Sequence, residues 1–217
     1  FHGGTVGIVG AGRIGAAYAR MLVEGHKMNV IYYDLHENAA LESFVADDAD
    51  FLVAHGEEPV TCSRAETLEG LLAVADVVSL HTALTAETRH LIGAEELSSM
   101  KDDAILVNSS RGPVVDEVAL VEHCRSHPLF TAGLDVFEDE PAMKPGLADL
   151  DNVVIVPHIA SATTWTREGM ATLAAANVAA LLQGQPIWKN DSVLPFLVGD
   201  LVPEAPSVVN AAELDLT

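Results

Sequence analysis

The sequence predicts an α/β protein built on a doubly wound parallel sheet, followed by a C-terminal helix and tail of different character. Three observations lead there. Short apolar runs rich in Val, Ile and Leu alternate with longer helical stretches. The runs are apolar throughout rather than at every second residue, as in strands covered on both faces. The first of them leads straight into the glycine-rich turn GAGRIG, which opens a helix.

Taken in order, Thr5 to Val9 reads as the first strand, Arg13 to Gly25 as the helix after it, and Asn29 to Tyr33 as the second strand. A helical stretch from about Asn38 to Ala54 precedes a weak third strand near Val60 to Cys62. A helix around Glu66 to Ala75, a strand at Val77 to Leu80, a short helix near Ala94 to Met100 and a strong strand at Ala104 to Asn108 follow. Asp116 has the side chain of a helix cap, for a helix reaching about Arg125. Thr131 to Val136 and Val153 to Val156 are the last strands, separated by the Pro- and Gly-containing loop Glu140 to Asn152. Thr163 to Leu182 is an Ala-rich helix closed by Gly184. Beyond it, Pro186, Pro195, Pro203 and Pro206 suit an extended wrapping segment.

Composition excludes several classes of function. The chain of 217 residues, 49% hydrophobic, can bury one sizeable core plus an appendage. A formal net charge of -21, from 32 acidic and 11 basic side chains, repels phosphate backbones and anionic lipid, which argues against nucleic-acid and membrane partners. Cys62 and Cys124 stand in neither a metal nor a redox spacing, and no metal site is expected.

In GAGRIG, the glycines Gly10, Gly12 and Gly15 stand where a tight turn, a close backbone approach to pyrophosphate and close helix–strand packing are needed. The motif is answered by Asp34 at the end of the second strand, nineteen residues after Gly15. Together these read as a Rossmann dinucleotide site, with the pyrophosphate at the helix start and Arg13 able to add a charged contact. Asp34 can accept hydrogen bonds from the adenosine ribose hydroxyls, whereas a 2′-phosphate would face its carboxylate, so NAD is expected over NADP. Arg64, beyond the third strand, is placed to soften that repulsion. A methyltransferase also pairs a glycine loop with an acidic residue, so this site alone specifies nucleotide and not reaction.

Ligands of an open parallel sheet sit beyond the carboxyl ends of its strands. Three polar groups follow three strand ends: Arg111 in NSSRGPVVD, Glu140 in DVFEDEP and His158 in VPHIAS. A guanidinium can grip a substrate carboxylate bidentately, an imidazole can protonate a nascent alkoxide, and a carboxylate can fix the imidazole's tautomer. Singly, each has an ordinary explanation as surface charge, acidic loop or loop histidine. On one rim they suit reduction of a 2-keto acid, with the hydride drawn from the cofactor.

The stretches TVGIVGAGRIG, ILVNSSRGPVVDE, GLDVFEDEP and VPHIAS resemble the D-2-hydroxyacid dehydrogenase family, in the right order over roughly residues 5 to 190. WTREGMATLAA and the helical insert after Asp34 are similar to its plant-type, photorespiratory, NADH-dependent hydroxypyruvate reductase branch. The resemblance implies a triad of Arg111, Glu140 and His158. It also implies that Asp135 binds the nicotinamide carboxamide, that Asn108 to Ser110 line the nicotinamide pocket, and that His81 and Leu84 border the cofactor cleft. Ile14 and Ser161 complete the expected cofactor contacts. The implied reaction is reduction of hydroxypyruvate to D-glycerate, and of glyoxylate to glycolate. A phosphoglycerate dehydrogenase and a dinucleotide-sensing, corepressor-like interaction protein stay open as alternatives.

Two departures stand out: Ala83 in HTALT where relatives commonly have proline, and Ala160 where many have glycine. Residues 1–160 are expected to form the NAD-binding domain. Residues 161–217 are expected to form a crossing helix and C-terminal segment packing on a substrate lobe. Family members place that lobe before the glycine loop, and no counterpart precedes Phe1, so the chain is expected to bind NADH far better than it turns over substrate. The resemblance also implies a homodimer and a peroxisomal or mitochondrial rather than cytosolic home, although the C-terminus LDLT lacks a Ser-Lys-Leu address.

Overall fold

The computed structural model describes residues 2–182. Its strands are β1 (Thr5–Val9), β2 (Asn29–Tyr33), β3 (Cys62–Arg64), β4 (Val77–Leu80), β5 (Ile105–Asn108), β6 (Thr131–Leu134) and β7 (Val153–Ile155). All pair in parallel, in the order β3-β2-β1-β4-β5-β6-β7. The helices are α1 (Arg13–His26), α2 (Ala39–Ala54), α3 (Leu68–Leu72), α4 (Ala94–Ser99), α5 (Glu117–Ser126) and α6 (Thr164–Leu182). Strand order reverses between β1 and β4, which opens a crevice at their carboxyl ends. The expected α/β fold with a doubly wound parallel sheet is the fold observed.

The two-residue period of the strands sorts side chains onto two cores. Val6 and Ile8 of β1, with Val30 and Tyr32 of β2, pack on Ala19 and Val23 of α1 and on Leu41, Val45 and Leu52 of α2. Val9, Val78, Leu80 and Leu106 face the other way, onto Leu71 and Leu72 of α3, Leu97 of α4 and Leu120 and Val121 of α5. Burying one such aliphatic side chain contributes about 1.5–3 kcal/mol, so the two layers fix where each strand end stands.

Most boundaries follow the sequence reading, and the exceptions have local causes. β3 starts at Cys62 rather than near Val60, because Thr61 is held by its N–H and hydroxyl on Asn29 Oδ1 and pairing begins with Val30 opposite Cys62. α3 is only Leu68–Leu72, starting at the Thr67 cap and carrying Gly70 in its interior, where glycine disfavours helix. β6 ends at Leu134, the last residue paired with β5, where it stands opposite Asn108 and the ladder closes with Asp135 N on Asn108 O at 3.0 Å. β7 is the sheet edge, and Val154 is 62% exposed, so the expectation of strands covered on both faces fails there. A 3-10 turn at Gly112–Val114, not anticipated from the sequence, follows from Pro113 in its first positions. The Asp116 carboxylate caps α5 through Val118 N and Ala119 N, as expected.

The chain divides into two compact units, Phe1–His158 and Ile159–Thr217. The first holds the sheet and α1 to α5. In the second, the described residues form a turn, closed by Ala162 N on Ile159 O at 2.9 Å, and then α6, which begins at Thr164 beside the Thr163 hydroxyl. Gly184 and the proline-rich tail lie outside the described residues. No described helix is long and apolar enough to cross a membrane.

At Gly15 an added Cβ would lie 2.0 Å from Gly10 O, so α1 and the end of β1 approach to backbone distance. Gly15→Ala is expected to lower stability by about 2–3 kcal/mol through overpacking, read as a lower urea midpoint at unchanged slope.

Candidate active site

Each glycine of the loop after β1 has its own reason. Gly10 has φ +93°, a left-handed conformation, and a Cβ there would sit 2.9 Å from the carbonyl carbon of His81 at the end of β4. Gly15 serves the close packing just described. Gly12 needs neither: its φ is -70°, and a Cβ would meet nothing within 4 Å. Space that no protein atom requires, at the amino end of α1, fits a pyrophosphate brought against the backbone. The residues present therefore fit a dinucleotide.

The loop is held from β2. Asp34 Oδ2 accepts from Ala11 N at 2.8 Å and Oδ1 from His36 N at 3.1 Å. Asn38, which sequence reasoning saw only as the start of a helix, donates from Nδ2 to Ala11 O at 2.7 Å while its Oδ1 caps α2 through Leu41 N at 2.9 Å. One residue of the loop, Ala11, is thus gripped at both its N–H and its carbonyl. Arg64 lies beside Asp34, as the sequence suggested, but its guanidinium is engaged with the carbonyls of Asp34 (2.8 and 3.2 Å) and Leu35 (3.0 Å). Ile14 and Arg13 are exposed in the first turn of α1, with Ile14 at 73%.

At the end of β4, His81 lies tilted against Tyr18 and pairs through Nε2 with Ser79 Oγ at 2.9 Å. Burial pushes its pKa below the usual imidazole value, so it is neutral at neutral pH. Leu84, in the following loop, is 41% exposed.

The turn after β5 is wound around Asn108, a buried side chain. Its Oδ1 accepts from Ser110 N (3.0 Å) and Ser110 Oγ (2.8 Å), and its Nδ2 donates to Arg111 O at 3.0 Å. This shapes the chain so that Arg111 emerges exposed, with Nη1 donating to Ser110 O at 2.6 Å. Asp135, after β6, is buried. Gly112 then meets the next loop backbone to backbone: a Cβ there would stand 1.8 Å from Phe137 O.

That loop delivers Glu140. Its Oε1 accepts from Phe137 N at 3.0 Å and its Oε2 pairs with His158 Nδ1 at 2.9 Å. The hydrogen bond from His158 comes first, and then the Phe137 amide and the Arg111 charge, in holding the Glu140 carboxyl below its ordinary pKa against the opposing effect of burial. His158 itself has φ +53°, a left-handed backbone rare outside glycine, with its N–H on Val156 O at 3.1 Å. Arg111, Phe137, Glu140 and His158 line one cleft of about 480 Å³. The three rim groups marked in the sequence are thus neighbours, and Glu140 is within hydrogen-bonding reach of the His158 ring. Ser161 belongs to the other unit, in the exposed turn before α6.

Residues 1–160 match the family described as D-isomer specific 2-hydroxyacid dehydrogenase, NAD binding domain. The chain belongs to this family. Among its 2-hydroxyacid dehydrogenase relatives, the glycerate dehydrogenase of Cucumis sativus is 59% identical over 98% of this chain and 56% of its own length. The peroxisomal glycerate dehydrogenase HPR of Arabidopsis thaliana is 57% identical over 99% of this chain and likewise 56% of its own. A crystal structure of D-lactate dehydrogenase with NAD+ from Lactobacillus jensenii superposes with a TM-score of 0.72 at 30% identity, covering 87% of this chain and 56% of that one. The chain thus spans little more than half the length of these dehydrogenases. The matched domain is an NAD-binding one, which agrees with the fit of the glycine loop and Asp34.

Two outcomes follow. Asn38→Ser keeps a helix-capping oxygen but loses the amide donor to Ala11 O; NADH binding measured by fluorescence is expected to weaken about fivefold, one hydrogen bond's worth, with little change in melting temperature. The second concerns acid. Because the folded-state pKa of Glu140 is depressed, the stability it contributes is present above the ordinary carboxyl value of 4.5 and is lost as pH falls through the lower folded value. Urea midpoints should therefore fall less on acidification in Glu140→Gln than in the wild type.

Proposed function

We propose that the protein reduces hydroxypyruvate to D-glycerate, and glyoxylate to glycolate, with NADH as the reductant. The observation that carries this reading is the 2.9 Å pairing of His158 Nδ1 with Glu140 Oε2 in a cleft shared with Arg111, at the strand ends that also hold the dinucleotide loop. The glycerate dehydrogenases that match nearly the whole chain support hydroxypyruvate among the 2-keto acids.

In this reading the Arg111 guanidinium binds the substrate carboxylate and polarises the adjacent carbonyl. The Nδ1–H of His158 donates a hydrogen bond to the Glu140 carboxylate, and Nε2–H of the imidazolium passes its proton to the carbonyl oxygen, leaving a neutral ring. The ionised Glu140 carboxylate stabilises the imidazolium before that transfer. NADH bound at Gly10, Gly12 and Asp34 supplies the hydride. Asp135, Asn108, Ser110, His81 and Leu84 border the nicotinamide side. NADH is preferred over NADPH because Asp34 presents a carboxylate to the ribose, and the nearby Arg64 is committed to backbone carbonyls. The protein forms a homodimer, and its home is peroxisomal or mitochondrial rather than cytosolic; peroxisomal is what the name of the Arabidopsis relative states of that protein.

The test is NADH oxidation by the full-length protein with hydroxypyruvate, glyoxylate, pyruvate and phosphohydroxypyruvate. Hydroxypyruvate should give the highest kcat/KM; inactivity with the whole panel would end the proposal. His158→Ala should lower kcat about 10²–10⁴-fold while NADH still binds. Arg111→Lys should raise KM as well as lower kcat, since an ammonium loses the bidentate grip.

A further inference from the structure

Glu117 is the first residue of α5, directly after the Asp116 cap. Acidic side chains in a first helical turn ordinarily sit in water, where the helix dipole favours them. This one is 1% exposed. Its two oxygens leave the helix and each takes a backbone N–H from another segment: Oε1 accepts from Glu138 N in a short hydrogen bond, and Oε2 from Lys144 N at 3.1 Å. Those two amides bracket Glu140. A buried carboxylate is costly unless its lone pairs are engaged, and here both oxygens are engaged by the loop that carries the partner of His158.

Other contacts pin the same loop. The Glu138 side chain is 7% exposed and lies 2.9 Å from His90 Nε2, 3.4 Å from Arg89 Nη2 and 3.7 Å from Lys144 Nζ. His90 in turn donates its N–H to Pro113 O, two residues after Arg111. Gly112 abuts Phe137 O. The Glu138–Lys144 and Asp139–Lys144 pairs close the loop on itself, whereas Glu117 takes a backbone amide on each side of Glu140 and ties both to the helix that follows the Arg111 turn.

We infer that Glu117 is a positioning residue of the proposed acid–base pair: its carboxylate fixes the Glu138–Lys144 loop so that Glu140 meets the His158 ring. The inference rests on the proposed reduction of 2-keto acids. Glu117→Gln keeps the shape but turns an amide N–H toward one of the two backbone donors, which displaces the loop there. Small misplacements of reacting groups cost up to about a hundredfold in rate.

The experiment is a double-mutant cycle on the full-length protein, with hydroxypyruvate turnover, NADH affinity and melting temperature measured for wild type, Glu117→Gln, Glu140→Gln and the double variant. Glu117→Gln is expected to lower kcat by about ten- to a hundredfold with NADH affinity within about twofold of wild type, and to cost little further in the Glu140→Gln background. A merely structural role would give a fall that adds fully in both backgrounds, or a loss of stability with kcat kept; either result overturns the inference. Should Glu117→Gln fail to fold, Glu117→Asp, which keeps the charge but withdraws it by one carbon from the loop, replaces it with the same criteria. Wild-type inactivity with every keto acid overturns the functional reading and this inference together, whereas an active wild type with an unaffected Glu117→Gln overturns the inference alone.

Discussion

Parallel pairing of β1 with β4 is the constraint from which the rest of the molecule follows. Parallel strands all finish on one edge, and at this pair their successors leave for opposite faces of the sheet. A crevice is left there, with two close backbone approaches at its base that require glycine. Gly10 lets the end of β1 lie against His81, and Gly15 lets α1 start within backbone distance of Gly10. Once these are set, the loops after β5 and β6 and the turn after β7 can only gather along the same edge. Placing a guanidinium, a carboxylate and an imidazole beside a dinucleotide loop is therefore a result of topology before it is a matter of side-chain chemistry.

Polar groups under the surface supply the finer placement. Asn108 wraps the Arg111 turn through three hydrogen bonds, Asp34 and Asn38 hold Ala11 from either end, and Glu117 and Glu138 brace the Glu140 loop. Asn152 does the same farther off, its amide reaching the carbonyls of Cys124, His127 and Phe130 and joining the end of α5 to the approach to β7. Satisfied buried groups of this kind confer uniqueness more than bulk stability. The hydrophobic layers place the strands, and the polar braces bring Glu140 within hydrogen-bonding distance of the His158 ring in the cleft that Arg111 also lines.

Much of this was legible in the sequence, for a physical reason. The bounds of β1, β2 and β4 follow from unbroken apolar runs, and GAGRIG with Asp34 carries its meaning in spacing alone. Arg111, Glu140 and His158 could be marked because each follows a strand end. β3 could not be bounded so well, because its register depends on Asn29 holding Thr61, a contact thirty-two residues apart. Glu117 and Asn38 looked like ordinary residues at helix starts; nothing local records that one is buried beneath a loop and the other reaches the glycine turn. Local signals give elements, and long-range hydrogen bonds give their precision.

The left-handed backbone at His158 has a consequence for how the protein is made. A residue with a Cβ visits that region rarely when free, so the conformation persists only while β7, the Val156 carbonyl and Glu140 jointly hold it. In a half-folded chain, where those contacts are unmade, nothing holds the ring in the pose that brings Nδ1 to Glu140. The pairing is thereby a property of the completed fold and not of the short segment that carries the histidine.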